Sequence, residues 1–118
     1  MRLAIFWIFA AAITLGGCRK PPPQTAVIYD ATHEQFVSLT HVGAKPPSSL
    51  AWRITGKLDG SGTVVVLRDG RPVQTHSLAA GAIDVEWRGA WPSRQITFHY
   101  LPGSVKHGSL QVLCRFRD

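Results

Sequence analysis

Cysteine is scarce: the 118 residues contain two, Cys18 and Cys114. Two are too few for a disulfide-dense scaffold, and their separation matches no zinc-ligand spacing. Acidic residues are also few, 7 Asp+Glu against 13 Lys+Arg, which leaves a formal net charge of +6. There is no internal repeat, no heptad pattern and no helical period of useful length. Coiled coils, nucleotide-binding βαβ repeats and large multi-domain enzymes are therefore excluded. A Gly-x-Ser-x-Gly elbow is absent, and the Gly-rich turns at 59–62 and 69–71 lack the lysine and following helix of a phosphate loop. Long apolar runs are missing too. The longest apolar stretch, residues 3–15, would span only about 20 Å as a helix at ~1.5 Å per residue, short of the ~30 Å hydrocarbon slab.

That stretch, Leu3-Ala-Ile-Phe-Trp-Ile-Phe-Ala-Ala-Ala-Ile-Thr-Leu15, has the length of the apolar middle of an export signal, with Arg2 and the amino terminus as its basic head. It runs into Leu15-Gly16-Gly17-Cys18. This tetrapeptide resembles the lipobox of bacterial lipoprotein precursors: an aliphatic residue at −3, small residues at −2 and −1, and a Cys at +1. Small residues let the processing peptidase close on the backbone, and the thiol is the nucleophile that accepts a diacylglyceryl group. The resemblance implies a signal peptide over 1–17, cleavage before Cys18, a thioether lipid on its sulfur and usually an acyl chain on the new amino group. Several chains at ~0.8 kcal/mol per buried CH₂ hold far more firmly than one. In lipoproteins of enteric-type bacteria, an Asp directly after the cysteine is the inner-membrane retention mark. Arg19 stands there instead, which implies outer-membrane delivery, facing the periplasm, in a host with two membranes.

Residues 18–25 continue as a polar tether. Three consecutive prolines, Pro21-Pro22-Pro23, exclude helix, disfavour sheet pairing and favour an extended polyproline II spacer at ~3.1 Å per residue. From residue 26 to 118 the apolar period is 2. Ala26–Tyr29 and Phe36–Val42 are strand candidates. Leu50, Trp52, Ile54 and Leu58 alternate with Arg53, Thr55 and Lys57. Thr63–Leu67 is continuously apolar and β-branched, as in a strand covered on both faces or central in a sandwich. Val73–Leu78, Ile83–Arg88, Ile96–Tyr100 and Leu110–Arg117 complete the set. Asp69-Gly70 has the chemistry of a two-residue hairpin turn, and Pro72 after it requires a sheet edge or strand start. Seven or eight short strands without a helix predict a small antiparallel β-sandwich, with a small barrel as the alternative. The expected inward set is Trp52, Ile54, Val64, Val66, Ile83, Val85, Trp87, Ile96, Phe98, Tyr100, Leu110, Val112 and Phe116. Cys114 shares the parity of the last three and is expected in the core as a small hydrophobe. The competing readings are a disulfide to Cys18 or a bridge between molecules.

No catalytic, cofactor or metal constellation stands out. The five histidines are scattered and read as surface residues. Asp84 and Glu86 share a strand face at a spacing that could suit paired carboxylates, though Arg53, Lys57, Arg115 and Arg117 make a solvated ion-paired face the plainer reading. The basic residues are spread along the chain, a diffuse positive field suited to phosphate-rich lipid, acidic glycan or an acidic protein; an exported address argues against nucleic acid. Trp91, in a loop, either packs back over the sandwich end or anchors a partner. The loops Gly89–Ser93 and Pro102–Gly108 are the first choice of binding surface, with Arg88, Trp91, Arg94, Lys106 and His107 as its candidates. Three functions follow as expectations: a lipid-anchored envelope module that adapts or supports a membrane assembly through a protein partner, an immunity or inhibitor protein against a periplasmic toxin or hydrolase, and a glycan- or polyanion-binding module. None is an enzyme.

Overall fold

A computed structural model describes residues 23–117. Eight strands fill this span: β1 (Gln24–Ile28), β2 (Gln35–Thr40), β3 (Ser49–Leu58), β4 (Gly62–Arg68), β5 (Arg71–Leu78), β6 (Gly81–Ala90), β7 (Gln95–Pro102) and β8 (Gly108–Arg117). They form two four-stranded sheets, one ordered β1-β8-β3-β6 and the other β2-β7-β4-β5. All pairings are antiparallel. The architecture is the sandwich, and no barrel closes. β1 begins at Gln24, so Gln24 and Thr25 of the expected tether already pair with Cys114 and Leu113 of β8. Signal segment, lipobox and Cys18 lie outside the described residues.

The period-2 pattern produces this directly. Inner-facing Leu50, Trp52, Ile54, Leu110, Val112, Cys114 and Phe116 come from one sheet, and Val64, Val66, Ile96, Phe98 and Tyr100 from the other; all are buried. Trp52 sets its edge against Phe98 across the sheets, ring centroids 5.5 Å apart. Tyr100 donates its hydroxyl to the Ala31 carbonyl at 2.7 Å, which satisfies the only polar atom of a fully buried ring and ties β7 to the β1–β2 loop. Val85 and Trp87 are only half-buried, a departure from the expected core. Their strand β6 is an edge, and it lies across from the other sheet's edge strand β5, whose inner positions carry Gln74 and His76. The core thins towards that open side.

The Asp69-Gly70 turn has positive φ at both residues, 54° and 83°, the geometry that joins β4 to β5 with the twist of the strands. Pro72 follows on the edge strand β5, where its missing N–H costs no ladder bond. The β4–β5 turn is the one direct hairpin within a sheet; every other connection crosses between sheets. All loops therefore gather at two ends. At the proximal pole the described chain starts, and the β2–β3, β4–β5 and β6–β7 connections turn. At the distal pole lie the β1–β2, β3–β4, β5–β6 and β7–β8 connections.

Candidate functional site

The two loops expected to form one binding surface lie at opposite poles. They flank β7, and an eight-residue strand holds its ends about 26 Å apart. This much was implicit in the sequence, because loops on either side of a single strand cannot converge.

Trp91, the expected contact anchor, is 1% exposed. Its Nε1 donates to the Gln95 carbonyl at 3.1 Å, and its backbone N–H donates to the Ser48 carbonyl at 3.0 Å. The ring meets Trp87 edge-on at 6.1 Å between centroids, and the Arg68 guanidinium stands 5.7 Å from its centre. It plugs the proximal end of the core and offers no surface. Arg94 spans the neighbouring loop, donating to the carbonyls of Gly43 at 2.7 Å and Ala44 at 3.2 Å. Arg88 is exposed on the outer face of β6, opposite Ala51 of β3. Lys106 and His107 are exposed at the distal pole, where Asp59 holds their loop. The Asp59 carboxylate accepts the Lys106 and His107 backbone N–H groups at 2.8 and 2.9 Å and faces His107 Nδ1 at 3.2 Å. Those bonds, led by the His107 amide, hold Asp59 below the ordinary carboxylate value.

The paired-carboxylate reading of Asp84 and Glu86 gives way to an ion pair. Arg53 Nε and Nη2 donate to the two Asp84 oxygens at 2.8 and 2.6 Å, and this bidentate grip lowers the Asp84 pKa. The histidines are not all on the surface. His41 is buried, its ring tilted against Phe116 at 5.4 Å and its Nε2 3.1 Å from the Lys45 carbonyl. Among the described residues no group of three or more His, Cys, Asp or Glu gathers as a metal site would require. Cys114 is fully buried as a free thiol, and burial pushes its pKa up to about 12.

Two surfaces stand out once these residues are placed, and the sheet register builds both. The outer face of the β2-β7-β4-β5 sheet carries almost no charge. Register sets Phe36, His99, Val65 and Thr75 in one row, with Ser38, Thr97, Leu67 and Pro72 in the next. Phe36 is 61% exposed and stacks on the His99 ring at 4.0 Å and 10°. His99 in turn bonds Glu34 through Nε2. Val65 and Leu67 are half-buried without a covering layer. The continuous apolar run Thr63–Leu67 carried this signal, since a central strand with one solvated face would ordinarily alternate.

The second surface is the proximal pole, and here the charge is sorted rather than diffuse. On the outer face of the β1-β8-β3-β6 sheet, Arg88 and Arg115 flank the small Ala51, and Arg117 lies beside Ser49. Arg68 and Arg71 bracket the Asp69-Gly70 turn, and Lys45 and Arg94 occupy the adjoining loops. Among the described residues the acid of this pole is Asp69. Arg53 and Glu86 face each other midway along the sheet, and the distal half sets Lys57 and Lys106 against Asp30, Glu34, Asp59 and Asp84. A shallow groove of about 200 Å³ runs over Ala51 between Glu86, Arg115 and Arg117, with Pro23 on its rim.

No family model and no curated protein matches the chain. Eight chains among solved structures do. One, described as "CBM4 structure and function", is 14% identical with a TM-score of 0.43, covering 79% of this chain and 71% of its own. Another, described as "Bacillus endospore appendages form a novel family of disulfide-linked pili", is 14% identical with a TM-score of 0.37, covering 88% of this chain and 98% of its own. At this distance neither neighbour passes a role to the present chain.

Proposed function

We propose that this chain is a lipid-anchored envelope lipoprotein whose β-sandwich is a non-catalytic adaptor, held at the outer membrane through Cys18 and presenting a flat recognition face to a protein of a membrane assembly. The carrying observation is the charge-poor outer face of the β2-β7-β4-β5 sheet, where exposed Phe36 stands over His99 beside Val65 and Leu67. Charge depletion around an exposed aromatic is the composition of a protein-binding patch. The lipobox resemblance supports the address, and the short Pro-rich tether supports a domain kept close to its membrane.

The test pairs two substitutions on the full chain. Phe36→Glu places a charge on this face in place of its exposed aromatic, and Gln111→Glu places one on the outer face of the other sheet as control. Capture from detergent-solubilised envelope should recover a defined assembly subunit with wild type and with Gln111→Glu, and lose it with Phe36→Glu. Recovery of a hydrolase or toxin whose activity the chain blocks would replace this reading with an inhibitor or immunity protein. Retention on glycan alone would replace it with a glycan-binding module. Cys18→Ala should abolish radiolabelled palmitate incorporation; unchanged labelling refutes the anchor.

A further inference from the structure

We propose that the proximal pole is a second interaction surface, seated on the anionic phosphate layer of the membrane that carries the anchor. This inference rests on the lipid-anchor reading above and adds an orientation to it. The basic pole is also the pole at which the chain arrives: Pro23 lies on the rim of the groove formed with Arg115 and Arg117. Cys18 is five residues earlier, and five residues reach at most about 18 Å even when fully extended. An anchored Cys18 therefore cannot let this pole drift far from the headgroups, which occupy roughly 5–7 Å on each side of the hydrocarbon. Fields decay over a Debye length of about 8 Å at physiological salt, so a tether short of full extension brings the pole within the lipid field. The cationic pole is thus presented where anionic lipid is densest, and the distal half, where acids outnumber cations, is turned away.

The charges suit a surface rather than a single buried ligand. Arg88 and Arg115 lie across Ala51 on the two strands that flank β3, with Arg117 one row nearer the pole, so their guanidinium groups cover an area instead of closing on a point. Seated this way, the strands stand roughly upright on the bilayer. The charge-poor face with Phe36 opens sideways, clear of lipid and free for a partner.

The test uses the full-length lipidated chain in vesicles. Ala90→Cys and Ala82→Cys place fluorophores on the same outer face of β6, one near the basic pole and one near the other end, while buried Cys114 stays unlabelled. In phosphatidylcholine vesicles containing phosphatidylglycerol, the probe at 90 should be shielded from a water-soluble quencher and the probe at 82 should not. Pure phosphatidylcholine, or roughly 0.5 M salt, should remove the shielding. The triple variant Arg88→Gln/Arg115→Gln/Arg117→Gln, checked by an unchanged melting curve, should lower the docked-to-free ratio about 100-fold, three cations near an anionic surface each supplying about fivefold. Equal shielding in neutral and anionic vesicles, shielding of both probes alike, or insensitivity to the triple variant would overturn the docking pole. Loss of the shielding to an equivalent charge of heparin in solution would assign the pole to soluble polyanions and overturn it as well. Attachment to neutral vesicles that survives high salt reports the anchor separately, so a failed anchor and a failed pole give different results.

Discussion

Two exposed-looking aromatics in the sequence have opposite fates. Trp91 is sealed between Trp87, Arg68 and the Gln95 carbonyl, whereas Phe36 stands open on His99. Replacing Trp91 by Ala should cost about 3–5 kcal/mol of stability, as for other large buried aromatics, and shift the denaturant midpoint without changing its slope. Phe36→Glu should stay within about 0.5 kcal/mol of wild type; a reversed order would move the recognition face to the Trp91 loop. Cys114 makes an independent check on strand parity. Its thiol is fully buried, and burial lifts its pKa to about 12. A thiol reagent at pH 8 should leave it unmodified in native protein and titrate it once denaturant is added; rapid native modification would place the side chain outside the core.

At the scale of elements, most strands were legible from alternation, because each apolar residue facing the core leaves its neighbour facing water, and β4 from its continuous β-branched run. The hairpin turn and the edge position of Pro72 were legible too, since both follow from backbone chemistry alone. Val85 and Trp87 escaped the pattern because alternation shows which way a side chain points, not whether the opposite sheet has anything apolar to meet it. β3 holds one position that alternation cannot see. Gly56 has φ of +151°, and a Cβ there would fall 2.3 Å from the Ser109 carbonyl oxygen and 2.9 Å from the Leu110 Cα. Gly56→Ala should therefore destabilise by about 2–4 kcal/mol, read as a fall in melting temperature. Asp59 governs the distal loops. Its pKa is lowered in the fold, so its clamp on the Lys106 and His107 amides is intact above the unfolded carboxylate value and weakens as pH falls through the lower, folded value. Exchange protection of those two amides should hold at neutral pH and fade in acid, and Asp59→Ala should remove it at every pH.

For the molecule as a whole, topology turns a scattered list of charges into a polarised body. Arg68, Arg88 and Arg117 are far apart in sequence, yet β4, β6 and β8 all run towards the same pole and deliver them together. No local reading of composition anticipates that; it needs the strand order. The same order separates the β6–β7 and β7–β8 loops and leaves the β2-β7-β4-β5 sheet with a bare outer face. In the proposed reading, recognition and seating fall on different parts of one small domain, and attachment through Cys18 sets whether both are correctly oriented. Intact mass spectrometry of the protein extracted from membranes tests that attachment directly. The expected species begins at Cys18 and carries the added mass of a diacylglyceryl group, with or without an amino-terminal acyl chain, and partitions into detergent. A polypeptide recovered from the aqueous phase with an unmodified Cys18 would contradict it.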